Sequence, residues 1–555
     1  MKPNVLFINP PSINYNNIIK SMKCNNRILL DHYIPHGILY LSSYLKEYGN
    51  VGMVGLVDYS RHFGDIRDFQ DIDTFIRKIA KKSCIFVPDI IAVSIVFSAA
   101  HIFSIRAIKI LKGLWPSAII IVGGTHATNC AKQILGNKLV DYILRGEGEK
   151  GFCQFVNQFS SSNPIKINGV FNQSDICGQN RLEACESIAD LDELPFPDWS
   201  LVDMDFYAKM RGSTRNIDGA GTKRNAPIMT NRGCPFKCTF CSSHTVHGRK
   251  MRYRSEENVL DEVHVLYESY GINLFVIADD LFTAHRQRVK SLLRKFKTLD
   301  IPGFELQFPN ALSINTLTED LLDDLIKAGM KIAVLAIDSG SEYVQKNIIK
   351  KNCNLKKAKR LVKYLHGKGM IVRCYFILGF PGETKEMMEE TIEFADEIDA
   401  DWSPFQIATP LIGSEMYSQF VAKGDIDDDI EYWSSKDINY TNRDFDTEEI
   451  SAEELNALVY RSNLVKNFLN NRNLKKGQFK KAIDIFNDIL DSYPFHIIAL
   501  SCLIKCYEGM KHYELAFEAK GRISELLKND KDAQVMYTNY RDLMPEEHVA
   551  VNSSI

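Results

Sequence analysis

The 555-residue chain lacks an excess of either charge: 67 Lys and Arg stand against 70 Asp and Glu, a formal net charge of −3. That balance gives no support to a broad basic surface of the kind that grips nucleic acid. Long hydrophobic runs are missing too. The longest, such as Ile90–Phe97 and Ala118–Val122, fall short of the roughly 20 residues that a membrane-spanning helix needs. The opening MKPNVLFINPPS turns into Asn and Pro after one strand-length run, so no signal peptide is expected there. The 13 cysteines are an odd number and do not read as a disulfide framework. Ten are scattered (Cys24, Cys84, Cys130, Cys153, Cys177, Cys185, Cys353, Cys374, Cys502 and Cys506), and only Cys234, Cys238 and Cys241 cluster. The expected location is therefore the reducing cytoplasm. What is present is ordinary globular material, 45% hydrophobic and 25% charged. At roughly 150 residues per domain, the length predicts three to four domains.

Residues 1–160 alternate short apolar runs with helical patterns. Strands are predicted at Val5–Ile8, Gly52–Val57, Ile90–Val96, Ala118–Val122 and Tyr142–Leu144, with helices at Ile38–Glu47 and Ile102–Gly113. This alternation predicts an α/β domain with a doubly wound parallel sheet. Its ligand site is then expected beyond the carboxyl ends of the strands, at Asn9–Pro11, Asp58, Ser94–Ser98, Gly123–Thr128 and Arg145–Glu149. Residues 161–225 are weakly patterned and read as a linker. Over 226–425 the alternation resumes, with strands at Pro227–Thr230, Leu274–Ala278, Phe304–Phe308, Ile332–Ile337, Val372–Leu378 and Phe405–Ala408. Six strand–helix units predict a partial (β/α)6 barrel with its chemistry at the strand ends. Residues 426–555 open on an acidic, aromatic stretch and continue as an all-helical region. Within it, near 470–530, Phe479 and Ala482 recur as Tyr513 and Ala516, a spacing of 34. That is a tetratricopeptide-like pattern. The second unit is degenerate, and two units are too few for a free-standing solenoid, so the tail is expected to cap the barrel or meet a partner.

The cysteines occupy N-R-G-C-P-F-K-C-T-F-C, residues 231–241, a C-x3-C-x2-C spacing just after a predicted strand. Three thiolates on one loop can hold three irons of a cubane and leave the fourth open to a ligand. The alternatives are structural zinc completed by His244 or His247, and three unrelated thiols.

C-x3-C-x-Phe-C after the first barrel strand resembles the radical S-adenosylmethionine enzymes. Five more segments resemble theirs, in order: Arg252–Val263, FVIADDLFT at Phe275–Thr283, LAIDSGSE at Leu335–Glu342, FILGFPGET at Phe376–Thr384 and ATPLIGSEMY at Ala408–Tyr417. Two departures are Asp338 where Glu is usual and Ile412 in place of a Pro. The resemblance implies a 4Fe-4S cluster on Cys234, Cys238 and Cys241. It implies that adenosylmethionine chelates the open iron and is cleaved reductively to a 5′-deoxyadenosyl radical. Asp279, Asp280, Asp338 and Ser339 are the implied acceptors for its ammonium, Phe240 the stacking partner of its adenine, and Gly379, Glu383 and Pro410 further contacts. For Asp280 and Glu383, a helix cap or loop acid is the alternative.

The preceding sheet resembles the cobalamin-binding subgroup of that superfamily. The matching residues are Asn9, Pro10, Asp58, Ser94, Ser98, Gly123, Gly124, Thr125, His126 and Glu147, which the resemblance implies contact cobalamin. The pattern Asp-x-His-x-x-Gly, which supplies a lower axial His in many other cobalamin proteins, is absent: residues 9–20 hold no His, and Asp58-x-x-x-His62-x-Gly64 has the wrong spacing. The resemblance implies methylation of an unactivated carbon of a small molecule, lipid or peptide. It implies an electron donor of flavodoxin or ferredoxin type and sensitivity to oxygen. A radical oxidative cyclase of the same architecture is the alternative, and a tetratricopeptide-bearing scaffold with a vestigial radical core is an alternative of another class.

Overall fold

A computed structural model describes residues 2–23, 33–159, 166–176, 182–210 and 223–548. Cys24 and Cys177 lie outside the described residues. The described residues form two compact units: the first holds those within 1–212, 224–304 and 409–446, the second those within 305–408 and 447–548 together with Lys223.

In the first unit, β1 (Val5–Asn9), β2 (Val54–Asp58), β3 (Ile90–Ser94), β4 (Ile119–Gly123), β5 (Tyr142–Leu144) and β6 (Val170–Asn172) make one sheet in the order β2-β1-β3-β4-β5-β6. All pairs are parallel except β5 with β6. Side chains alternate across a strand, so β1 sends Leu6 and Ile8 into one core and Val5 and Phe7 into another. Helices cover both faces: Phe75 and Ile76 of Ile72–Ser83 and Phe103 of His101–Leu114 join the first core, and Ile38 and Leu45 of His36–Tyr48 and Phe152 and Phe155 of Glu149–Phe159 the second. This is the doubly wound sheet expected. The antiparallel edge strand β6 comes from the stretch read as a linker. Further along that stretch, Ile188, Leu191 and Leu194 pack with Tyr40 and Met229.

The first unit also holds β7 (Asn225–Ile228), parallel to β10 (Leu274–Ile277), and the short hairpin β8 (Asn231–Arg232) with β9 (Arg252–Tyr253). The cysteine loop lies between β8 and β9. Ser255 caps the helix Glu256–Tyr270 by accepting from Asn258 N, and Gly271 at φ 65° ends it. The segment 409–446 folds onto the sheet domain. Ile430 joins the first core, and Asn14 Nδ2 donates to the carbonyls of Ser434 at 2.6 Å and Lys436 at 2.8 Å.

The second unit contains β11 (Glu305–Gln307) and a parallel sheet of β12 (Leu312–Ser313), β13 (Ile332–Asp338), β14 (Ile371–Leu378) and β15 (Phe405–Ile407), in that order. Helices Glu319–Lys327, Leu355–Gly367 and Lys385–Ile398 alternate with these strands. The carboxyl-terminal helices share a core in which Ala482, Phe486, Ile498 and Ala516 are buried. They anchor on the β15 edge, where Asn463 Nδ2 donates to Phe405 O at 2.8 Å and Asn467 Oδ1 accepts from Ser403 N at 2.6 Å. That edge is thereby covered rather than left to pair with another chain. Among the described residues no helix is long and apolar enough to cross a membrane.

Candidate active site

The hairpin carrying the cysteines is held by charge. Arg232 precedes Cys234 by two residues, and Arg252 faces it across the β8–β9 pair. Both guanidiniums are buried, which is costly without carboxylates. The loop after β5 supplies two. Glu149 Oε1 accepts from Arg232 Nη2 at 2.6 Å. Glu147 accepts from Arg252 Nη1 at 2.7 Å and from His247 Nδ1 at 2.9 Å, and lies 3.3 Å from Arg232 Nη1. Burial would raise the Glu147 carboxyl, but the hydrogen bonds from Arg252 and His247 and the Arg232 charge outweigh it and hold it well below the usual carboxylate range. A second brace comes from the end of β10. Asp279 accepts from Thr230 N at 2.6 Å, Asn231 N at 3.2 Å and Asn231 Nδ2 at 2.6 Å. Its burial pushes its carboxyl up to about 6 despite those bonds.

Within this frame Cys234, Cys238 and Cys241 form no disulfide and are partly exposed, and Phe240 beside them is half-buried. The other described cysteines are buried, and burial pushes the thiols of Cys130, Cys185 and Cys353 up to about 12. Thiols so protonated are poor ligands and nucleophiles. Three reachable thiols on one loop suit a cubane with one open iron. His247, weighed above as a zinc ligand, pairs through its Nδ1 with Glu147.

Two adjoining cavities open at the carboxyl ends of the sheet strands. The narrower, of about 260 Å3, is lined by Ser94, Gly123, Gly124, Thr125, Glu147 and Gly37, among others. A Cβ on Gly37 would meet nothing within 4 Å, and one on Gly123 only Leu144 O at 3.9 Å, so side chains there would fill the slot. Gly124 has φ 98°, and a Cβ on it would stand 2.5 Å from Ile95 O. Beside the slot, His36 Nε2, Tyr40 Oη and Asn231 Oδ1 are buried without a protein partner around a further small cavity. Burial lowers the His36 imidazole to about 3. A slot kept open by glycines and edged by unmet polar atoms fits the insertion of a cofactor's tail.

The wider cavity, of about 560 Å3, shares Val96 and Thr125 with the slot and is also lined by Ser98, His126 and Cys241. His126 Nδ1 pairs with Ser98 Oγ at 2.9 Å and its Nε2 with His101 Nδ1 at 3.1 Å. Burial lowers His126 to about 3, so the ring is neutral.

Other expected residues fall elsewhere. Asn9 Nδ2 donates to Asp58 at 2.8 Å, and Asp58 also accepts from Tyr207 Oη and Arg61 N. Asn9 and Asp58 thus brace the end of the sheet, and neither they nor Pro10 line either cavity. Asp280 lines the small cavity beside Arg232, and Pro410 is buried after Thr409, which lines the wide one. In the second unit, Asp338 sits at a bulge with φ 69° and is ion-paired with Lys351, both buried. Ser339 Oγ pairs with Thr391 Oγ1 at 3.0 Å. Glu383 closes its own turn, accepting from Gly379 N at 2.6 Å and Phe380 N at 3.0 Å. The sequence reading placed Glu149 at a sheet tip and Arg252 at the start of a matching segment without giving either a role, and it did not single out Arg232. Arginines on both sides of the cysteine loop and the paired acids of GEGE were the available signal.

A family model of the radical SAM superfamily matches residues 228–395, and one of the B12 binding domain matches residues 29–156. The chain is 28% identical over 427 residues to the cytidylyl-2-hydroxyethylphosphonate methyltransferase of Streptomyces wedmorensis, covering 71% of this chain and 79% of that one. It is 30% identical over 396 residues to an uncharacterized methyltransferase of Pyrococcus horikoshii, covering 70% and 78%. The radical S-adenosylmethionine methyltransferase TsrM of Kitasatospora setae, solved with cobalamin and a [4Fe-4S] cluster, shares the fold at a TM-score of 0.56 and 18% identity, covering 75% of this chain and 77% of that one. The chain is a cobalamin-dependent radical S-adenosylmethionine enzyme, a member of the superfamily that uses a 4Fe-4S cluster, adenosylmethionine and, through its B12 binding domain, cobalamin.

Proposed function

We propose that this enzyme methylates an unactivated carbon of a small-molecule, lipid or peptide substrate. One observation carries the reading: a single cavity is bordered by Cys241 on one side and by Ser98, Thr125 and His126 of the sheet tips on the other. When bound, the cluster and adenosylmethionine supply a hydrogen-abstracting radical, and cobalamin carries the methyl group. The chain's own task is alignment and the exclusion of water. Glu147 and Glu149 fix the hairpin through Arg252 and Arg232. Val96, Phe97 and Leu411 present apolar walls. Ser98 and His101 occupy both ring nitrogens of His126 and hold its orientation. Cys234, Cys238 and Cys241 are assigned to iron, and Ser94, Gly123, Gly124 and Glu147 to the cobalamin slot. The six strand–helix repeats are read as a partial (β/α)6 barrel and the helical tail as tetratricopeptide-like, a cap or a docking face for a carrier. A flavodoxin- or ferredoxin-type protein is the proposed electron donor.

The test is anaerobic turnover of reconstituted protein with methyl-labelled adenosylmethionine and candidate substrates. Label in the product is expected. Formation of 5′-deoxyadenosine with an altered, unlabelled product would replace methylation by oxidative cyclisation. Full cellular function of Cys234→Ala would replace both with a scaffold role.

A further inference from the structure

We propose that the first unit docks on an anionic lipid bilayer through the end of its sheet opposite the cavities, with Ile85 and Val87 entering the bilayer interface and a set of lysines and Arg77 meeting the phosphate headgroups.

The apolar part of this surface is a braced tip. β1, β2 and β3 begin at Val5, Val54 and Ile90, and the loops leading into β2 and β3 meet at Asn4. Asn4 Oδ1 accepts from Met53 N at 2.9 Å, its Nδ2 donates to Val87 O at 3.1 Å, and its own N–H donates to Asp89 at 2.8 Å. Side chains alternate along the loop before β3. Cys84 is buried, and Phe86 packs inward, where a Cβ on Gly55 would stand 3.0 Å from its ring. Ile85 and Val87 are thereby turned outward, 90% and 70% exposed, and Met53, tied to the same Asn4, is 49% exposed. A braced loop that holds three large apolar side chains in water marks a contact surface.

The charged part is the helix that feeds this loop. Ile72–Ser83 buries Ile72, Phe75, Ile76, Ile79 and Ala80, while Arg77, Lys78, Lys81 and Lys82 are exposed on its outer face. No Asp or Glu occurs between Asp73 and Asp89, and Asp89 is turned onto Asn4. Lys2 adds a fifth cation: its carbonyl oxygen would lie 3.0 Å from a Cβ on Gly52, next to Met53. Among the described residues, none of the five is ion-paired with a carboxylate. The whole chain is net −3, so this end stands apart in charge.

Together these features select the occupant. A basic amphipathic helix running into exposed apolar residues is complementary to a surface that is anionic outside and apolar beneath, which a bilayer offers. A second copy fits poorly. A two-fold contact would set the same cations against each other, and three side chains offer far less than the roughly 800 Å2 per partner that a stable protein interface buries. The slot opens at the carboxyl ends of the same strands, so docking by their amino ends turns it away from the bilayer. Docking of this kind positions the enzyme and leaves substrate entry free.

The test is co-sedimentation of the cluster- and cobalamin-loaded protein, without turnover, with vesicles of phosphatidylcholine alone or of phosphatidylcholine and phosphatidylglycerol in equal parts. Binding to the anionic vesicles is expected to be roughly tenfold or more tighter, and to weaken at high salt. Lys81→Gln with Lys82→Gln should weaken it by about twentyfold, at roughly fivefold for each lysine near an anionic surface. Ile85→Ser with Val87→Ser should weaken it about tenfold or more, since both side chains leave water on docking. All four positions are outside the core, so iron and corrinoid content should not change in either variant. Equal binding to both vesicle types, no binding to the anionic ones, or an unchanged affinity in either double variant would each overturn the proposal. Self-association of the wild type that Ile85→Ser with Val87→Ser abolishes, without vesicle binding, would overturn it in favour of a second copy as the occupant.

Discussion

Glu147→Gln is the sharpest perturbation of the site. The side chain keeps its shape but loses its charge. Arg252 keeps the carbonyls of Ile188 and His247, and Arg232 keeps Glu149, but the carboxylate shared by both guanidiniums is gone. Glu147 is 3% exposed and Arg252 9%, so solvent cannot replace it. Breaking a buried pair from one side costs about 3–5 kcal/mol. At about 1.4 kcal/mol per tenfold, local opening of the β8–β9 hairpin should rise by roughly two to three and a half powers of ten. Hydrogen exchange of residues 231–253 reads this directly, and iron content after reconstitution reads its consequence. Replacing both partners, as in Glu147→Leu with Arg252→Met, should restore most of the protection, since the penalty lies in the unpaired charge. The sign with pH is also fixed. The folded carboxyl lies below its ordinary 4.5, so its contribution is complete above that value and is lost only as pH falls well beneath it. Wild-type protection of the hairpin should therefore be level from pH 8 to 5. Exchange in Glu147→Gln within threefold of wild type would refute the clamp.

Three further outcomes are expected. Gly37→Leu should fill the slot and abolish corrinoid retention, read from the absorbance of bound cobalamin, while stability is kept or raised, because Gly is about 1 kcal/mol worse than Ala within a helix. Asp279 has a folded pKa of about 6 above its ordinary 3.8, so the folded state holds the extra proton and stability falls as pH rises between those values; denaturation curves of Asp279→Asn should lack that slope. Lys351→Met should destabilise the second unit by about 3–5 kcal/mol, measured by denaturant unfolding, because Asp338 would remain buried and unpaired.

Much of this was legible in sequence. Val5–Asn9, Ile90–Ser94 and Ile119–Gly123 are short apolar runs ended by Asn, Ser and Gly, and each became a buried parallel strand at nearly the expected ends. Turn chemistry and periodicity act locally, so local reading finds them. The linker was harder. Val170–Asn172 and Leu191–Glu193 carry little pattern of their own and are ordered by the sheet edge and by Tyr40. Likewise, nothing local marks residues 409–446 as part of the unit that holds the sheet, since Ile430 and Asn14 meet only after folding.

The sequence by itself determined the doubly wound sheet and the single loop on which three cysteines cluster. The patterns that encode these span a strand, a turn or one loop. Tertiary structure alone decided what each acid does. Asp58 braces a strand end, Glu147 neutralises arginines 85 and 105 positions away, Asp279 ties down the cysteine-bearing hairpin, and Glu383 closes its own turn. The four are alike as letters in a chain. Burial and the donors that reach them set their charge and their role, and those are fixed only when distant segments pack.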